Sequence, residues 1–167
     1  MQKDLICCLK KPVKELMLLF PGCQRVMQNT SLEFPFEYAD IGGLGRLFYP
    51  VITAELQTIR GWRKFEFLVD TGADITTVPS HLLPILGLKK SRLITNRTMG
   101  VGGISIKAWE FSLGIKIGMK ELSVHCSAVE VKNDSIPLLL GRKDIFEEKY
   151  NLLLDSKRKT TVISENQ

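Results

Sequence analysis

An all-β domain closed, or nearly closed, into a barrel with one or two short helices is the fold that this sequence predicts, and three observations predict it. From Leu47 onward, short runs rich in β-branched and aromatic residues alternate with Gly, Pro, Asn and Asp, the rhythm of strands and turns. Only two stretches carry helix start and stop chemistry. Many short strands in one chain leave edges that closure hides. A length of 167 residues suits one compact domain, and 44% hydrophobic content supplies its core.

Residues 1–45 read differently from 46–167. A helical pattern broken by Pro12, then Pro21-Gly22 and the polar Asn29-Thr30-Ser31, marks an appendage, partly helical or poorly ordered, in which Met27 is a candidate internal start. The domain over residues 46–167 follows. Its expected strands are Phe48 to Thr58, Lys64 to Val69, Ile75 to Val78, Arg92 to Thr98, Ile104 to Leu113, Leu122 to Val131, Pro137 to Leu140, Asn151 to Leu154 and Thr160 to Ile163. One helix is expected from Ser80 to Leu86, capped by Ser80 and ended by Gly87. A second is expected from Lys143 to Tyr150, turning Ile145 and Phe146 to the core.

Composition narrows the function classes. The net charge is +5, but Lys and Arg are scattered, and the densest cluster, Lys157-Arg158-Lys159, suits a solvated hairpin turn better than a nucleic-acid surface. Three of the four cysteines crowd into the first 23 residues, which is no disulfide framework. His81 and His125 stand far apart without metal-ligand spacing, so no metal is expected. The apolar runs Leu5 to Leu9 and Leu16 to Phe20 are too short to span a bilayer and are interrupted by charge, unlike a secretory signal. A cytoplasmic, reducing location is the expectation; the rival for this segment is an amphipathic helix lying on a membrane or a partner.

Three segments carry chemistry. In Phe67-Leu68-Val69-Asp70-Thr71-Gly72-Ala73-Asp74-Ile75 an acidic turn is inserted between apolar strands, where a carboxylate is costly unless hydrogen bonds or a second carboxyl sharing a proton compensate it. Gly72 and Ala73 are small enough for a backbone or ligand to approach. The plain alternative is an ordinary β-turn. The second segment, Thr98-Met99-Gly100-Val101-Gly102-Gly103-Ile104, is a glycine-rich hairpin tip; no Gly-Lys-Ser/Thr and no helix pattern follow it, which argues against a phosphate loop. The third, Ile136-Pro137-Leu138-Leu139-Leu140-Gly141-Arg142-Lys143-Asp144-Ile145-Phe146, runs an apolar strand into a glycine and then a short helix, on its own an ordinary strand-to-helix junction.

Leu68 to Val78 resembles the active-site loop of retropepsins, the single-lobed aspartic proteases of retroviruses and their cellular relatives. The glycine-rich tip resembles their flap, and the third segment resembles the strand that closes the barrel beside the catalytic loop. The resemblance runs from about Phe48 to Leu154 with the segments in the family's order. It implies a retropepsin-like barrel lobe in which Asp70, Thr71 and Gly72 are catalytic, Thr71 locking two loops together through its hydroxyl. Ala73, Asp74, Ile75, Val78, Met99, Gly100, Val101, Gly102, Gly103 and Leu139 would contact substrate. Gly141 and Arg142 would give structural support, Arg142 by pairing with Asp74.

Hydrolysis of a peptide bond by carboxyls needs one as base and a second, protonated, as acid. This sequence has no second Asp-Thr-Gly or Asp-Ser-Gly, since Asp134-Ser135-Ile136 and Asp155-Ser156-Lys157 lack the glycine. A twofold homodimer acting on extended polypeptides, with no organic cofactor, is therefore implied. Retroviral enzymes build their dimer sheet from chain termini, whereas this chain continues past Leu154 into another strand. Two rivals are a catalytically inactive peptide-binding or dimerisation module with the same fold, and a basic barrel binding nucleic acid.

Overall fold

The computed structural model describes residues 31–99, 103, 105–130 and 137–166. The expected helical segment before Asn29 and the cysteines Cys7, Cys8 and Cys23 lie outside them. In chain order the strands are β1 (Ser31–Pro35), β2 (Glu37–Ile41), β3 (Gly45–Tyr49), β4 (Val51–Thr58), β5 (Gly61–Val69), β6 (Thr76–Pro79), β7 (Ile94–Met99), β8 (Ser105–Ile117), β9 (Lys120–Val129), β10 (Leu138–Leu140), β11 (Tyr150–Asp155) and β12 (Thr160–Glu165).

Seven strands form the main sheet in the order β4-β5-β10-β6-β9-β8-β7, and β4 also pairs with β8 at Glu55–Lys116 and Leu56–Ile115. Alternation explains which faces pack. Along β4, Ile52, Ala54 and Leu56 point inward while Thr53, Glu55 and Gln57 face outward or sit at the margin. They join Phe67 and Val69 of β5, Val78 of β6, Leu113, Ile115 and Ile117 of β8, Val124 and Cys126 of β9 and Leu140 of β10 in one core. β10 threads between the two arms of the Asp70 loop, parallel to β5 and antiparallel to β6. A second sheet, β1-β12-β11, packs Leu32, Phe34, Tyr150 and Ile163 onto that core, with the Tyr150 hydroxyl donating to the Ile117 carbonyl at 3.2 Å.

Each of the nine expected strands has a counterpart, and three expectations change. Phe48 to Thr58 divides at Pro50, which has no N–H to donate to a ladder. Residues 31–35 are not an appendage, since β1 pairs along β12 from Ser31–Ser164 to Pro35–Thr160, and the separate β2–β3 hairpin straddles the expected boundary. The reason is that Leu32 and Phe34 alternate with exposed neighbours and need the core.

Neither expected helix forms as drawn. Ser80–Leu82 is a 3-10 turn in which Ser80 makes no side-chain cap, and the Leu83 amide bonds back to the Ser80 carbonyl at 3.3 Å. Pro84, lacking an N–H, cannot supply the α-helical bond to Ser80. Gly87 does end the segment, at φ +77°. Lys143 to Lys149 is a run of turns, and Tyr150 already begins β11. Asp144, at φ +64°, breaks any helical ladder at its start, although the Phe146 amide still reaches the Arg142 carbonyl at 2.8 Å.

Candidate active site

Asp70 ends β5, and the backbone around it is over-determined. The Asp70 amide donates to the Leu140 carbonyl at 3.1 Å, and the Ala73 amide closes the turn on the Asp70 carbonyl at 3.2 Å. The carboxylate Oδ1 accepts from the Gly72 amide at 2.9 Å. Asp70 is half-buried, whereas Thr71 and Gly72 are exposed.

The far side of the loop is held by the residues after β10. The Arg142 amide donates to the Ala73 carbonyl at 3.0 Å, and the Lys143 amide to the Asp74 carbonyl at 2.8 Å. Such closeness is possible because of Gly141, where an added Cβ would lie 2.3 Å from the Ile75 carbonyl carbon. The Gly141 amide also bonds the buried Thr76 hydroxyl at 3.3 Å. Arg142 makes the expected hydrogen-bonded pair with Asp74 through its guanidinium, although Asp74 is 84% exposed, so the pair is screened by solvent. The supporting role of this segment is mainly a backbone one.

The expected contact residues are dispersed. Ile75 lines a cleft of 440 Å³ together with Ile94, Phe111, His125, Cys126 and Lys143. Leu139 is half-buried between Leu68 and Thr77. Val78, by contrast, is fully buried in the core, so in this chain it packs rather than offers a surface to a ligand. Met99 is 74% exposed at the end of β7, and Gly103 adopts φ +76° with open space around it, as a reversing hairpin requires. The expected contacts at Gly100, Val101 and Gly102 lie outside the described residues. The β7–β8 hairpin itself extends from Ile94–Glu110 to Met99–Ser105, with every residue of β7 exposed.

One anchoring pair was not foreseen. Oδ2 of Asp144 accepts from the His125 amide and meets the His125 Nδ1, each at 2.8 Å. The His125 backbone N–H, foremost, holds the Asp144 carboxyl below the usual carboxylate range. This ties the Gly141–Asp144 turn to β9. The signal in the sequence was only that Asp tolerates positive φ next to a glycine turn. His125 is thus structural, as expected. Cys126, in the wall of the same cleft, is buried, and burial pushes its thiol up to about 12, so it stays protonated. No cluster of metal-ligating side chains occurs among the described residues.

A family model described as aspartyl protease matches residues 57–143, a span holding the Asp70 loop, the β7–β8 hairpin and Gly141-Arg142. No curated protein matches. Among solved structures, a retropepsin-like aspartic protease from Rickettsia conorii aligns at 21% identity over 81% of this chain and 93% of its own, with a TM-score of 0.53. EIAV protease, complexed with the inhibitor HBY-793, aligns at 19% identity over 56% of this chain and 82% of its own, with a TM-score of 0.45. With a family match over more than half its length, this chain belongs to the aspartyl protease family, and its fold is retropepsin-like.

Proposed function

We propose that the protein is an aspartic endopeptidase that works as a homodimer, each chain contributing Asp70 to one two-carboxyl site. The observation that carries this reading is a single Asp-Thr-Gly loop, pinned by backbone bonds at the end of β5, in a chain that has no second such motif. Two carboxyls at close range cannot both ionise comfortably, so they share a proton and titrate as a pair. The ionised member takes a proton from water as the oxygen attacks the peptide carbonyl, and the protonated member gives its proton to the carbonyl oxygen. This chain's residues thus supply both proton steps.

The remaining roles follow from the resemblance to retropepsins. Thr71 would bond the opposite loop through its hydroxyl, and the Gly72 carbonyl would accept a substrate amide. The hairpin tip from Met99 to Gly103 would close over an extended peptide. Ile75 sits where an apolar side chain of substrate could lodge, between the loop and Ile94 of β7. The β4–β8 pairing supports reading the main sheet as a closed barrel lobe.

Asp70→Asn tests this directly. The variant should keep the wild-type circular dichroism spectrum and sedimentation behaviour while losing cleavage of a diverse peptide pool. Retained cleavage, or cleavage by a strictly monomeric wild type, overturns the proposal. A wild type that dimerises and binds peptides without cutting any would indicate the inactive module instead.

A further inference from the structure

Between Phe36 and Pro50 the chain leaves both larger sheets as a two-stranded ribbon, β2–β3, in which every residue from Glu37 to Phe48 is exposed. Isolated two-stranded ribbons are at best marginally stable in water. This one nevertheless carries Tyr38, Ile41, Leu44, Leu47 and Phe48, with Leu44 70% exposed at the turn. Its register sorts them. Tyr38 opposes Phe48 and Asp40 opposes Arg46 on one face, where the Arg46 guanidinium lies 4.6 Å over the Tyr38 ring. The other face places Glu37 opposite Tyr49 at the root, then Ala39 opposite Leu47 and Ile41 opposite Gly45, and is aliphatic over its outer half.

The ribbon's root is fixed. Phe36, buried, stacks on Phe48 at 4.4 Å, and its amide donates to the Lys159 carbonyl in the β11–β12 turn at 2.8 Å. On the other side the Val69 amide donates to the Pro50 carbonyl at 2.9 Å. The ribbon therefore springs from the strand end that carries Asp70, the end a twin must approach if two Asp70 side chains are to meet. The last strand, β12, cannot take a partner strand, because β1 and β11 occupy both its edges.

We propose that the β2–β3 ribbon is a dimerisation arm, laying Ala39, Ile41 and Leu47, with Leu44 at its tip, against a second copy of this chain. The proposal rests on the homodimeric reading above. Each copy would give one arm and receive one, as a twofold interface requires. The burial of an aliphatic face supplies the attraction that an unsupported ribbon lacks.

The test uses the full chain. A photo-crosslinking benzoylphenylalanine at Leu44 should yield, on irradiation, an adduct of doubled mass. The double variant Ile41→Glu, Leu47→Glu should weaken self-association at least about tenfold in analytical ultracentrifugation. Peptide cleavage should then need correspondingly more enzyme per unit activity. If that variant loses its folded circular dichroism spectrum, Leu44→Asp, a change at an exposed turn, carries the same measurement. A ribbon variant that dimerises as tightly as wild type, or an adduct confined to the chain's own residues 1–30 or to peptide, overturns the arm and leaves the homodimer standing. A wild type that cleaves as a monomer overturns the homodimer itself.

Discussion

The Asp70 loop and the β7–β8 hairpin face each other in the proposed mechanism, yet they are built on opposite principles. The loop is short, and its main chain is bonded to Leu140, Arg142 and Lys143, three consecutive-region residues brought in by a strand threaded between its arms. The hairpin strand β7 has one pairing neighbour, β8, and all of its residues are exposed. Proton transfer demands carboxyls held to within fractions of an ångström, whereas admission of a polypeptide demands a cover that opens. The difference in bonding density matches that difference in task.

The largest expected effect strikes the loop's chemistry. Asp70→Asn should reduce peptide cleavage by at least about 10³-fold while the urea midpoint stays within error; a comparable midpoint loss would assign Asp70 to folding instead. Next comes the loop's geometry. Gly141→Ala must displace backbone that would stand 2.3 Å from the new Cβ, so unfolding stability should fall by about 3 kcal/mol. A neutral result would mean the β10 junction gives way more easily than its bonding implies.

Hydrogen exchange sharpens the contrast without any substitution. The amides of Asp70, Arg142 and Lys143 should exchange slower than those of β7 by roughly an order of magnitude, and equal rates would erase the distinction. A smaller effect belongs to Asp144. Its carboxyl is held below its ordinary value of 3.8 by His125, so its contribution is fully present above that value and is lost as pH falls through the lower, folded value. Asp144→Asn, which keeps the tolerance for positive φ, should cost about 1 kcal/mol near neutral pH. The gap from wild type should close in acid, and a gap independent of pH would refute the charge's role. Smallest is Asp74→Asn. Because that carboxylate is 84% exposed, removing its pairing with Arg142 should change stability by less than about 1 kcal/mol.

Much of the fold was legible because strands announce themselves locally. β4, β5, β8 and β9 carry apolar residues at alternate positions, and their bounds moved by only a few residues. The Asp70 loop was legible for a related reason: an acidic turn between apolar strands is chemically odd wherever it sits. The misreadings came where distant partners decide conformation. Residues 31–35 read as the end of an appendage until β12 pairs with them, and Val78 looks available to a ligand until the core closes over it. The stretch after Lys143 has a helical pattern, but the bond from Asp144 to His125, across 19 positions, outweighs local propensity.

By itself the sequence determined the chemistry on offer, one Asp-Thr-Gly per chain and a glycine-rich hairpin, because residue type and spacing within a few positions suffice for that. Only the tertiary structure decided that β10 passes between the arms of the Asp70 loop, that Gly141 is crowded by the Ile75 backbone, and that an exposed ribbon leaves the larger sheets next to β4. Those facts arise from contacts between residues far apart along the chain, and the free energy of such contacts depends on the assembled packing that no local pattern encodes.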